Sequence, residues 1–254
     1  MPQRAITPHG EGMAKTAAIL IIGSEVLSGK VTDENSPYLV RELRDLGVDV
    51  RRILTVPDEL PVIVEAVQDM ARTHDLVFTT GGVGPTHDDV TIAAIAQAFG
   101  RRLVRHPRLE TMLRQHYAAD ITAAQLRMAE VPEGSRLLGE EEFRLPIVAC
   151  ENVFIFPGVP ETVRRKFARI REAFREAPYV VRRIYLRCDE GEVAGDLCNA
   201  VDHFPSVQIG SYPILHNPDH NVLVTLESKR AEEVEEALRY LLARLPAAFV
   251  VRVE

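Results

Sequence analysis

From Thr16 onward the apolar residues fall into a regular rhythm. Ala17–Ile22 is a short aliphatic run ending at Gly23, the pattern of a strand buried on both faces. Asn35–Leu46 places Leu39, Val40, Leu43 and Leu46 at helical spacing and is closed by Gly47. Val48–Val56 reads as a second strand, stopped by Pro57. Leu60–Thr73 reads as a helix with Pro61 in its first turn and Val64, Val67 and Met70 on one face. Leu76–Thr80 is a third strand that runs into the glycine-rich stretch Gly81–Pro85, and Asp88–Phe99 a helix stopped by Gly100. Strands alternating with helices at this spacing predict a parallel sheet with right-handed crossovers.

The middle of the chain is less regular. Pro107–Glu130 reads as largely helical and Pro132–Leu138 as a turn with a short extended segment. Ile147–Cys150 and Val153–Phe156 read as a hairpin around Glu151–Asn152, leading to Pro157-Gly158-Val159-Pro160 and a basic helix over Glu161–Arg175. After Pro178 the pattern changes. Tyr179–Arg187 is strand-like, Glu190–His203 helical, Val207–Tyr212 and Asn221–Glu227 strand-like, Ala231–Leu245 helical and Ala248–Val253 a last strand. That β-α-β-β-α-β order predicts a small ferredoxin-like α+β domain. The expected organisation is a loose lead-in over residues 1–15, a larger α/β domain over 16–177 and the small domain over 178–254.

Composition narrows the classes of function. The 254 residues carry 30 Lys+Arg against 37 Asp+Glu, a net charge of −7, with 46% apolar and 26% charged residues. This is ordinary globular usage. No apolar stretch approaches the ~18–20 residues that span a bilayer, and the first residues lack the apolar segment of a secretory signal. An acidic balance without a basic run argues against nucleic acid as a partner. Three cysteines, Cys150, Cys188 and Cys198, have no CxxC spacing and are expected to pack in the fold rather than form disulfides or a zinc site. A cytoplasmic, soluble protein with no membrane partner is the expectation.

In an open parallel sheet, ligands bind beyond the carboxyl ends of the strands. Three unusual loops fall there: Gly23–Asn35, Gly81–Asp89 and Pro157–Pro160. In the second, Gly81, Gly82 and Gly84 let the backbone turn sharply and present amide hydrogens to a phosphate, with Thr86 and the following helix end beside them. The alternative is a plain turn in which Thr86 caps the helix and Asp89 closes a capping box. A carboxylate at Asp88 beside a phosphate cradle repels the ligand unless a divalent cation lies between them. Asp88 as metal ligand or base, with Asp89 as cap, is the preferred division. In the first loop Glu25 and Asp33 either complete a metal site or, for Asp33 and Asn35, cap the next helix. Lys30 either meets a phosphate or faces solvent. Gly158 allows close approach of a ligand, or simply makes a turn. His87 is a weaker phosphate candidate, and the other histidines lack metal-ligand spacing. There is no GxSxG, HExxH, Walker A or Rossmann GxGxxG.

Taken together, Gly23-Ser24-Glu25, Gly29-Lys30 with Asp33 and Asn35, Gly81-Gly82-Val83-Gly84-Pro85-Thr86-His87-Asp88-Asp89 and Phe156-Pro157-Gly158-Val159-Pro160 resemble the molybdopterin-binding-like domain of the competence/damage-inducible protein A (CinA) family. Asp88-Asp89-Val90-Thr91, Ala96-Gln97-Ala98-Phe99-Gly100, His106-Pro107 and Gly210-Ser211-Tyr212-Pro213 resemble still more closely the same domain at the front of eukaryotic FAD synthase. The resemblance covers the chain from about residue 16.

It implies a three-layer, mostly parallel α/β fold and a metal-dependent pyrophosphatase that splits nucleotide diphosphates such as FAD or ADP-ribose, FAD giving FMN and AMP. By the same match Asp88, Asp89 and Glu25 are the implied catalytic acids. Asp88, Glu25 and Asp33 are the implied ligands of Mg²⁺, Mn²⁺ or Co²⁺, and Gly81–Thr86 the phosphate cradle. It also implies a homo-oligomer. Ser24 stands where many relatives carry Asn or Asp. The nicotinamide-mononucleotide deamidase domain of CinA proteins and the adenylyltransferase domain of FAD synthase have no counterpart in this sequence, so neither deamidation nor FAD synthesis is expected. A molybdopterin-binding protein and a non-catalytic nucleotide-binding module are the competing readings, because one fold hosts many functions.

Overall fold

The computed structural model describes residues 15–117, 120–139 and 145–254. The described chain divides into two compact units, one ending at Glu176 and the other beginning at Ala177. The expected lead-in lies, apart from Lys15, outside the described residues.

In the first unit β1 (Thr16–Ile22), β2 (Asp49–Val56), β3 (Leu76–Thr80), β6 (Arg136–Leu138), β7 (Ile147–Cys150) and β8 (Val153–Phe156) form one sheet in the order β2-β1-β3-β8-β7-β6. The first three pairings in that order are parallel and the last two antiparallel. Its helices are the single turn α1 (Ser24–Leu27), α2 (Asn35–Asp45), α3 (Leu60–Thr73), α4 (Thr91–Ala98), α5 (Pro107–Tyr117), α6 (Ala123–Arg127) and α7 (Pro160–Ile170). The strand β4 (Leu103–Arg105) pairs with β5 (Glu130–Pro132) in a separate two-stranded ladder.

The alternation in β1 builds the layers. Ala17, Ile19 and Ile21 enter one apolar cluster with Leu39 and Leu43 of α2 and Val163 and Phe167 of α7. Ala18, Leu20 and Ile22 enter the other with Ile63, Val67 and Met70 of α3 and Ala94 and Ile95 of α4. Side chains of period two therefore put helices on both faces, a three-layer α/β/α arrangement. Phe78, Phe154, Phe156, Phe167 and Phe174 pack ring on ring in the first cluster.

The second unit runs β9 (Val180–Leu186), α8 (Glu190–His203), β10 (Gln208–Pro213), β11 (Val222–Ser228), α9 (Ala231–Leu242) and β12 (Val250–Val253). Its sheet is antiparallel throughout, in the order β10-β11-β9-β12, the split βαβ arrangement. Val222, Val224 and Leu226 face Val193, Leu197, Val234, Leu238 and Leu241, so this unit has two layers and one core.

Four sequence expectations need correction. The long helix over Pro107–Glu130 is two helices and the start of a strand, because Thr122 and Gln125 form a capping box that starts a new helix. The basic helix ends at Ile170 and tightens into a 3₁₀ turn, Arg171–Phe174, which buries Phe174. The helix expected from Asp88 begins at Thr91. Cys198 is exposed, while Cys150 and Cys188 are buried; all three are free thiols.

Candidate functional site

Because β1, β3 and β8 are parallel neighbours, their carboxyl ends share one edge, and the loops that follow start side by side. The Gly81 amide donates to Phe156 O at 3.2 Å and the Gly23 amide to Val56 O at 3.1 Å. Gly81 and Gly82 have φ of 103° and 63°, in the left-handed region that favours glycine. Their missing side chains matter as much as their torsions. A Cβ on Gly81 would collide with the Ile22 carbonyl, and one on Gly82 with the Thr91 hydroxyl. A Cβ on Gly158 would stand 3.4 Å from Gly81 Cα, so the loop after β8 lies directly against the glycine turn.

Thr91, the first residue of α4, holds that turn from behind. Its hydroxyl donates to Gly81 O at 2.9 Å and its amide to Gly82 O at 3.0 Å. The amides of Gly82, Val83 and Gly84 donate to no group among the described residues. The Thr86 amide donates to Asp89 Oδ2 at 2.8 Å, and the Thr86 hydroxyl donates to the same oxygen. Both contacts run from Thr86 to the Asp89 carboxylate, while the Asp89 amide turns to Thr86 O at 3.4 Å rather than to the hydroxyl, so one half of a capping box forms. It closes a turn of its own over residues 86–90, however, with the Val90 amide on Asp88 O at 2.9 Å, which is why the helix waits until Thr91. Asp88 is exposed beside His87, whose Nδ1 lies 3.9 Å from Asp88 Oδ1. The nearby Thr86 hydroxyl and Asp88's own amide hold its carboxyl below the ordinary range, with a smaller pull from His87.

In the first loop, the Glu25 carbonyl collects the amides of Lys30 and Val31 and the Ser28 hydroxyl. The Glu25 carboxylate folds back over Gly23, where a Cβ would meet its Oε1 at 2.6 Å. Ser24 and Asp58 pair reciprocally, the Ser24 amide on Asp58 Oδ2 at 2.7 Å and the Asp58 amide on Ser24 Oγ at 3.2 Å. Asp33 organises the start of α2: it accepts from the amides of Asn35 and Ser36 at 2.9 and 3.0 Å and from the Ser36 hydroxyl. Lys30 and Glu25 are exposed.

Asn35 is buried among these loops. Its Nδ2 donates to Gly158 O at 2.8 Å and to the Thr80 hydroxyl at 3.3 Å, and its Oδ1 has no partner among the described residues. Leaving such an acceptor unpaired costs about 1–3 kcal/mol.

The glycines of two loops and the Glu25 carboxylate are thus placed at one sheet edge by backbone contacts. The acids are not gathered: among the described residues no three His, Cys, Asp or Glu side chains form a metal cluster. Oxygen donors suit a hard divalent cation, and Mg²⁺ commonly takes only one or two carboxylates plus substrate phosphates. One or two carboxylates at this edge would suffice for a cation that arrives with its substrate. Sequence reasoning gave Asn35 no role beyond a possible cap and a place in the family resemblance, gave Thr80 no role, and passed over Asp58. The one hint was that the apolar strand Leu76–Thr80 ends in two threonines, both buried.

The "Probable molybdopterin binding domain" family matches residues 18–176, more than half of the chain. The chain belongs to that family. Residues 178–254 match the "FAD synthase, middle domain" family. A protein of Archaeoglobus fulgidus is 34% identical over 221 residues, 87% of this chain and 94% of its own length. A "Probable FAD synthase" of Caenorhabditis briggsae is 31% identical over 98% of this chain but only 53% of its own length, so the chain spans about half of that relative. A crystal structure of the protein CinA, of unknown function, from Thermoplasma acidophilum superposes with a TM-score of 0.60 at 30% identity, over 63% of this chain and 98% of that one. Among the described residues no helix is long and apolar enough to cross a membrane.

Proposed function

We propose that the chain hydrolyses the diphosphate bond of a nucleotide such as FAD or ADP-ribose with a divalent cation, FAD giving FMN and AMP. The observation that carries the reading is the run of amides at Gly82, Val83 and Gly84 without acceptors among the described residues, at the carboxyl edge of a parallel sheet, bordered by the exposed carboxylates of Asp88 and Glu25. Such amides suit an anion, and carboxylates beside an anion call for a cation. The relatives named FAD synthase and the match of residues 178–254 support a flavin nucleotide as ligand.

In this reading Gly81 shapes the turn, since its own amide is already engaged by Phe156. Gly82 and Gly84 present donors to the diphosphate, with Lys30 and Thr86 at the rim and Gly158 forming the opposite wall. Asp88 and Glu25, joined by Asp33 where the first loop allows, would hold Mg²⁺, Mn²⁺ or Co²⁺, which neutralises the diphosphate and lowers the pKa of the attacking water. Asp88 orients that water and accepts its proton. Asp89 holds Thr86 and hence the shape of the loop. The water oxygen bonds to one phosphorus as the bridging P–O bond breaks, and the leaving phosphate carries away the electron pair.

The second reading, molybdopterin binding without hydrolysis, uses the same cradle and is favoured by the family of residues 18–176. Product analysis separates the two. Metal-stripped protein is mixed with FAD, ADP-ribose or NAD and each of the three metals. Release of AMP by the wild type, absent with Asp88→Ala, is expected; no turnover with any pair would move the assignment to pterin binding.

A further inference from the structure

We infer that Asn35 is a positioning residue of this site: its carboxamide fixes where the end of β3 and the loop after β8 stand, and through them the shape of the glycine turn. The inference deepens the functional reading above and rests on it. Asn35 is 7% exposed and opens α2, a helix anchored in the core by Leu39 and Leu43. Its backbone is tied to Asp33 at 2.9 Å, so the side chain projects from a fixed base.

A carbonyl can only accept a hydrogen bond. The contact with Gly158 O at 2.8 Å therefore sets the amide orientation, with nitrogen toward Gly158 and Oδ1 on the other side. That Oδ1 is buried and finds no donor among the described residues. Leucine would fill a similar volume without stranding an acceptor, so what asparagine adds is the pair of donors. Both acceptors adjoin Gly81. Thr80 precedes it in the chain, and Gly158 packs on its Cα. A strand end and a loop separated by more than seventy residues are thereby held against the same turn.

The test uses Asn35→Asp and Asn35→Leu in the full chain. The aspartate keeps the size but, as a carboxylate, gives no hydrogen to Gly158 O; the leucine keeps the volume. Amide exchange is followed by NMR at Gly81 and Thr91, whose amides are bonded to Phe156 O and Gly82 O. Both variants are expected to speed exchange at these two amides at least tenfold while β1 keeps its protection. With ADP-ribose and Mg²⁺, kcat is expected to fall tenfold or more with KM within threefold of the wild type. Unchanged exchange at Gly81 and Thr91, a loss of protection spread equally over β1, or a raised KM at constant kcat would overturn the inference. If the wild type hydrolyses no diphosphate, the hydrolase reading falls alone, and the exchange at Gly81 and Thr91 decides the role of Asn35.

Discussion

The two units finish their strands in opposite ways. In the second, β11 ends at Ser228, whose hydroxyl donates to Ser206 O at 2.9 Å and accepts from the Arg230 amide at 3.2 Å. Its helix α8 opens on a capping box in which Asp189 and Glu192 satisfy each other's amides. In the first unit, β3 ends in two buried threonines and two glycines of positive φ, and from the second of these, Gly82, through Gly84 the amides have no acceptor among the described residues. Both units close their apolar cores. The first leaves a row of backbone donors open where its glycines are held in a conformation that other residues resist. Groups satisfied within the chain stabilise it, whereas oriented and unsatisfied groups are what a ligand completes.

The largest effect that would sharpen this contrast is expected at Gly81. Gly81→Ala combines a positive φ with a clash against the Ile22 carbonyl and should cost about 4 kcal/mol by denaturant unfolding, with nucleotide binding lost. A variant of wild-type stability would break the account of the turn. Leu241→Ala, in the core of the second unit, should cost about 3 kcal/mol yet leave the affinity for ADP-ribose within twofold when measured by calorimetry well below the unfolding midpoint. A large loss of affinity there would place ligand chemistry in both units.

A third effect is set by pH. Burial, with a smaller contribution from Arg165, lowers the Lys166 pKa from 10.5 to about 8. The unfolded chain then holds the proton more tightly than the folded one, so stability attributable to Lys166 should rise from about pH 8 toward 10.5, by up to about 3 kcal/mol. Below pH 8 the penalty is constant. Unfolding of the wild type and Lys166→Met across this window should show the wild type gaining stability relative to the variant as pH rises; parallel curves would contradict it. The smallest effect is expected for Asp58→Ala, which removes the acceptor for the Ser24 amide and should cost about 1 kcal/mol.

Much of the fold was legible in the sequence because the pattern and the burial agree. Leu60–Thr73 and Leu76–Thr80 were bounded correctly, since Pro61 opens the helix and the threonines and glycines end the strand. The short pair β4 and β5 was missed: three-residue strands carry too little alternation to register, and their pairing depends on distant neighbours. At the site, the glycine turn announced itself by composition. The start of α4 was misplaced because Thr86 and Asp89 have the spacing of a capping box but make only its carboxylate half, around a free-standing turn. Asn35 as a tie between loops was invisible, because its partners Thr80 and Gly158 lie 45 and 123 residues away.

The most direct measurement is a titration of the uniformly ¹⁵N-labelled full chain with ADP-ribose and Mg²⁺, followed by amide resonances. The account predicts that Gly82, Val83 and Gly84 shift most, while residues 180–253 stay in place and Gly82→Ala abolishes the response. Shifts concentrated in the second unit, or a Gly82→Ala variant that responds like the wild type, would contradict it.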